Sequence, residues 1–322
     1  MTELNTFQKY FVEEFYDDYR EGLISRRAFI RRVAYITGSM TATVATMSLL
    51  GCSPAELPAP TEAIPPATPA ATSAAASAPM PSAPKSPLSV PEDSPDIIAT
   101  SVTFASQGVD ITGYLTRPKA DGKYRAVLVC HENRGMTAHI QDVTRRFTKA
   151  GYVALSIDLL SREGGTATVE RDKVPALLSG APPERHVGDF AAGLAYLQGL
   201  EYVEKERIGM TGYCFGGGIT WRSAVALPQL KAAVPFYGPA PDLAQVGNIK
   251  AAVMGVYAEQ DERITGGMAP LEQALVAAKI THEMKVYAGV NHAFHNDTGE
   301  RYNEAQATKA WQDTLAWFDK YL

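Results

Sequence analysis

The chain has 322 residues, enough for one large domain or two small ones. Apolar residues make up 46% and charged residues 20%, the balance of a globular protein, which excludes a fibre or a wholly disordered chain. A net charge of −5 gives no electrostatic ground for nucleic-acid binding.

Three parts follow one another. In the first, residues 1–52, a polar and aromatic lead of 24 residues precedes Ser25-Arg26-Arg27-Ala28-Phe29-Ile30-Arg31. Paired arginines and a large apolar residue before a moderately apolar stretch resemble the twin-arginine export signal. The stretch from Val33 to Leu50 mixes Thr, Ser and Gly with Ala, Val and Leu. It is too weakly apolar for a membrane span and suits the h-region of an export signal. Leu49-Leu50-Gly51-Cys52 resembles a bacterial lipoprotein processing box, which makes Cys52 a candidate lipid-bearing residue. The expected partner is the twin-arginine export machinery. The expected location is outside the cytoplasm, with membrane attachment through the N-terminus as a further expectation. The plainer reading is an amphipathic helix with incidental arginines.

Residues 53–96 are almost wholly Ala, Pro, Ser and Thr. They hold too little apolar bulk to offset the entropy of ordering, and their prolines favour an extended spacer.

Fold patterns run from residue 97 to 322. Val102–Ala105 and Ile111–Leu115 alternate in polarity around Gln107-Gly108 and predict an antiparallel hairpin. Apolar runs then alternate with helical patterns. Strands are expected at Ala126–Cys130, Tyr152–Ile157, Arg207–Gly212, Ala232–Tyr237, Ala251–Tyr257 and Met284–Tyr287. Helices are expected near 139–150, 183–197, 216–226 and 304–320. This alternation predicts a mostly parallel sheet with helices on both faces and an N-terminal antiparallel hairpin; the turn at residues 212–216 and the residue order described next make it an expected α/β-hydrolase fold. No metal-ligand spacing and no phosphate-binding glycine loop stands out, so neither metal nor cofactor is expected.

Gly212-Tyr213-Cys214-Phe215-Gly216 stands between a strand and a helix, as a nucleophile elbow requires. The flanking glycines relieve crowding in a tight turn, and a helix N-terminus favours a thiolate. A buried structural cysteine is the competing reading. Asp261 follows one strand and His292 lies in the loop after another, giving the chain order nucleophile, acid, base. His292 would take the thiol proton, and Asp261 would orient the imidazole. Asp261 could instead cap a helix; His282 and His295 are rival bases, and Glu259 and Glu262 rival acids.

These residues resemble the dienelactone hydrolase family over about Val102 to Leu322. The resemblance rests on Gly212-Tyr213-Cys214-Phe215-Gly216-Gly217-Gly218, the Asp261 loop, Asn291-His292-Ala293-Phe294 and His131-Glu132-Asn133-Arg134-Gly135. It implies hydrolysis of a small-molecule ester or lactone through a thioester. It also implies that Glu132 contacts the resting cysteine and helps deprotonate it. The backbone N–H groups of Asn133 and Phe215 would form the oxyanion hole. The arginine that the family places shortly after the histidine is absent, for His295, Asn296 and Asp297 stand there. Arg134 and Arg162 remain as candidate anion contacts. A catalytically silent, membrane-tethered small-molecule binding protein on the same fold is the alternative.

Overall fold

The computed structural model describes residues 4–50 and 86–322, so Cys52 and the Ala/Pro-rich stretch up to residue 85 lie outside the described residues. Three helices precede the sheet: α1 (Thr6–Arg20), α2 (Arg26–Thr37) and α3 (Met40–Leu49). Each start has a local cause. Asn5 and Gln8 form a reciprocal capping box on α1, and the hydroxyls of Ser25 and Ser39 cap α2 and α3.

The sheet opens with β1 (Ile97–Ser106) and β2 (Val109–Pro118), paired antiparallel as predicted. Gln107 and Gly108 connect them with φ of 51° and 78°, the left-handed pair that matches strand twist in a two-residue hairpin. Six strands follow: β3 (Tyr124–Cys130), β4 (Val153–Ile157), β5 (Val203–Tyr213), β6 (Ala232–Phe236), β7 (Ala252–Ala258) and β8 (His282–Tyr287). Their spatial order is β1-β2-β4-β3-β5-β6-β7-β8. The pair β2–β4 is antiparallel and every later pair is parallel. Every residue of β4, β6 and β7 is buried, which explains why they read as continuous apolar runs. The remaining helices are α4 (Ala138–Lys149), α5 (Val174–Gly180), α6 (Pro183–Gly199), α7 (Phe215–Ala226), α8 (Glu262–Thr265), α9 (Met268–Ala277) and α10 (Glu304–Tyr321). Cys214, Asp261 and His292 all follow the C-terminal ends of parallel strands, where an α/β sheet gathers its loops into a cleft.

Helices α1–α3 fold against the sheet domain. Phe7, Phe11 and Phe15 are buried along one face of α1, each stabilising the packing by roughly 1.5–3 kcal/mol. Phe7 and Phe11 pack on Phe215 with ring centroids 4.8 and 5.5 Å away. The polar edge is also fixed: Arg301 pairs with Asp18 at 2.9 Å and with Glu21 at 2.8 Å, and Asn5 donates to the Ser179 carbonyl at 2.8 Å. No helix of the described residues is long and apolar enough to cross a membrane.

The end of the stretch expected to be spacer is held as well. The Val90 N–H donates to Asp142 at 2.7 Å, and Arg145 donates to the Val90 carbonyl at 2.6 Å. The loop after β8 is anchored through Asp297, which accepts from His139 and Arg146 at 2.7 Å each. Burial opposes the Asp297 charge, but His139 and Arg146 outweigh it and hold the carboxyl well below the usual range.

Candidate active site

Cys214 sits between β5 and α7 with φ 60° and ψ −121°, a conformation that strains a residue bearing a Cβ by about 1–3 kcal/mol. The surrounding structure holds it there. The Cys214 N–H donates to the Phe236 carbonyl at 3.1 Å, and its own carbonyl accepts from Gly217 at 2.9 Å. A Cβ on Gly216 would lie 2.5 Å from the His131 carbonyl oxygen and 2.6 Å from that of Cys130, so only glycine lets the elbow approach β3. The Phe215 N–H faces the sulfur. Asn133 follows β3 and lines the cleft beside Cys214.

His292 and Asp261 form one unit. Nδ1 of His292 lies 2.6 Å from Oδ2 of Asp261, leaving Nε2 facing the nucleophile's side. Although Asp261 precedes α8, its side chain makes no cap bond there. Burial raises the cost of its charge, yet His292 and then Arg263 more than compensate and hold the carboxyl below its ordinary value. The rivals are engaged elsewhere. His282 bonds the Ile280 carbonyl at 2.7 Å, His295 stacks on Tyr213 at 4.9 Å, and Glu259 accepts from the Gly289 N–H at 2.8 Å. Glu262 is exposed on α8.

The groups nearest the thiol come from α1. The Tyr10 hydroxyl lies 3.3 Å from Sγ of Cys214 and 3.4 Å from Nε2 of His292. The thiol donates toward Glu14, whose two oxygens lie 3.5 and 3.6 Å away. Asn133 holds that carboxylate with its side-chain amide at 2.6 Å. Glu132, which the resemblance placed on the resting cysteine, accepts from Asn296 at 2.5 Å. Burial pushes the Cys214 thiol well up, and the charges of Glu14 and Glu132 push it further. Glu14, Cys214 and His292 bring one donor atom each within 4.8 Å of one another, a spacing that the Tyr10 hydroxyl already bridges by hydrogen bonding.

A cavity of about 240 Å³ opens beside Cys214 and His292, with Arg134, Arg171 and Arg301 in its wall. Arg134, and then partial burial, lower the affinity of Arg171 for its proton. Arg162 is not brought to this cavity: it pairs with Asp189 at 2.5 Å and donates to the Ser106 carbonyl at 3.2 Å. Tyr10, Glu14, Arg171 and Arg301 did not emerge from the sequence motifs. A signal for the first two existed, since Phe7, Phe11, Phe15 and Glu14 recur at helical spacing in the aromatic lead.

Residues 111–322 match the model of the dienelactone hydrolase family. A Salmonella typhi protein provisionally named a carboxymethylenebutenolidase is 35% identical over 258 residues, covering 74% of this chain and 94% of its own. An Escherichia coli protein of the same provisional name is 34% identical, covering 73% of this chain and 90% of its own. The crystal structure of a provisionally named dienelactone hydrolase from Klebsiella pneumoniae is 34% identical with a TM-score of 0.65, covering 70% of this chain and 99% of that one. With the elbow, the strand order and the family match in agreement, this chain belongs to the dienelactone hydrolase family and is a hydrolase of ester or lactone bonds.

Proposed function

We propose that the enzyme cleaves its ester or lactone through a Cys214–His292–Asp261 triad and a thioester. The observation that carries this reading is the strained Cys214 elbow facing an imidazole already tied to Asp261. His292 takes the thiol proton, and the sulfur attacks the substrate carbonyl. The N–H groups of Asn133 and Phe215 receive the oxyanion. Collapse breaks the ester C–O bond, and His292 returns the proton to the departing alkoxide. A water then loses its proton to His292 and attacks the thioester carbonyl, releasing the acid and regenerating the thiol. Glu132, held by Asn296, offers a second acceptor for the thiol proton as substrate enters and then moves aside.

The substrate carries an anionic group. Arg134 and Arg171 repel one another at the cavity wall, and neither has an ion-pair partner among the described residues, so a bound carboxylate would relieve both. Arg134→Ala and Arg171→Ala should each raise KM about tenfold for a carboxylated ester and leave a neutral ester nearly unchanged. Steady-state kinetics on a matched ester pair checks this, and equal effects on both esters would remove the anion site.

We also propose that residues 1–52 act as a twin-arginine export signal, with Cys52 as the lipid attachment residue. The support is the Arg26-Arg27 pair before an apolar stretch. Exchange of both arginines for lysine should retain the protein in the cytoplasm on fractionation; unchanged export would overturn the route.

A further inference from the structure

We propose that helix α1 is an intramolecular inhibitor: Tyr10 and Glu14 occupy the acyl-transfer site, and turnover requires α1 to leave it. The inference rests on Cys214 being the nucleophile.

Proton placement argues for a silent resting state. With Nδ1–H of His292 committed to Asp261, Nε2 is left to accept the thiol proton, but the Tyr10 hydroxyl, which donates to Sγ at 3.3 Å, also lies 3.4 Å from Nε2 and stands between thiol and base. The Cys214 thiol then donates to Glu14. The thiol proton thus points at Glu14, and the phenol separates it from Nε2. The groups around the sulfur reinforce this. Glu14 and Tyr10 face it from α1, Glu132 from the loop after β3 and His292 from the loop after β8, and the two carboxylates oppose a thiolate.

Space argues the same way. A phenol oxygen 3.3 Å from Sγ stands where an electrophilic carbonyl must come. The helix also carries anions into an arginine-lined site: Glu14 sits at the nucleophile, and Asp18 occupies Arg301, a wall residue of the cavity. These carboxylates imitate an anionic substrate or its acid product. Helix α1 supplies neither nucleophile, base nor acid, and it lies outside the matched family region that begins at residue 111. Its seat is the aromatic contact of Phe7 and Phe11 with Phe215.

The test uses the full chain carrying Phe7→Asp and Phe11→Asp, which unseat α1 without altering the triad. Alkylation of Cys214 by iodoacetamide, read by mass spectrometry of its peptide, and turnover of a small activated ester should both rise at least about tenfold. A synthetic peptide of residues 4–24, added in excess, should restore the slow rates. Should that variant fail to fold, Tyr10→Phe with Glu14→Gln in the full chain carries the same readout. Alkylation that stays unchanged or slows overturns the inhibitor, as does faster alkylation with turnover below that of the unaltered chain, which would make α1 part of the working site. Alkylation needs no ester chemistry. Faster labelling with no ester turnover in any form therefore retires the thiol-hydrolase reading and leaves the inhibitor standing.

Discussion

Cys214→Ala is expected to lower kcat for ester hydrolysis by a factor on the order of 10³ or more, with little change in KM. Alanine removes the sulfur that forms the proposed thioester, while His292, Asp261 and the backbone amides stay. Residual rate would come from those amides and from bound water. Alanine keeps the Cβ that the φ of 60° already strains, so the thermal transition should move little. Steady-state kinetics beside a melting curve separates loss of chemistry from loss of fold. Retention of full activity would leave Cys214 a buried structural residue.

The second large effect is expected from Asp261→Asn, a fall in kcat of about 10²–10⁴ with the fold retained. Asp261 accepts from Nδ1 of His292 at 2.6 Å and so keeps Nε2 free to take a proton. An asparagine amide can turn its NH₂ toward Nδ1, which reverses the tautomer and leaves Nε2 protonated before the reaction begins. The pH dependence has a definite sign. The folded carboxyl is held below its ordinary value of about 3.9, so the stability that it contributes is complete above that value and is lost as pH falls through the depressed one. Any acid limb of the rate profile lying above about pH 5 therefore does not come from Asp261. A profile recorded from pH 4 to 9 on the unaltered enzyme, with kcat measured for Asp261→Asn, checks both statements. A variant within a factor of about 3 of the unaltered rate would contradict the role.

The fold was legible where chemistry repeats locally. Continuous apolar runs marked the buried strands, Gln107-Gly108 marked the hairpin, and the Gly-x-Cys-x-Gly turn marked the elbow. The Asp261 and His292 positions were legible because the chain order of an elbow nucleophile, acid and base limits the choices. What sequence could not place are contacts made across long separations. Tyr10 and Glu14 meet Cys214 from some 200 positions away, and no local periodicity specifies which carboxylate will face a thiol. The same holds for Arg162, whose sequence context beside Asp158 gave no sign of its ion pair with Asp189 on α6. Arg301 stands beyond the short stretch after His292 where the family places an arginine, and the loop returns it to the cavity wall.

The aromatic lead also shows how one composition can serve two readings. Residues 1–24 and the arginine pair after them resemble an address, yet residues 6–37 form two helices, and α1 among them brings Tyr10 and Glu14 to the nucleophile.

In the proposed cycle Cys214 carries the acyl group during turnover. Rapid acid quench of the unaltered enzyme with a slowly hydrolysed activated ester, followed by peptide mass analysis, tests it most directly. An acyl mass increase is expected on the peptide containing Cys214, formed with a burst of released alcohol and discharged by water. Steady alcohol release with no acyl group on that peptide at any time would contradict it.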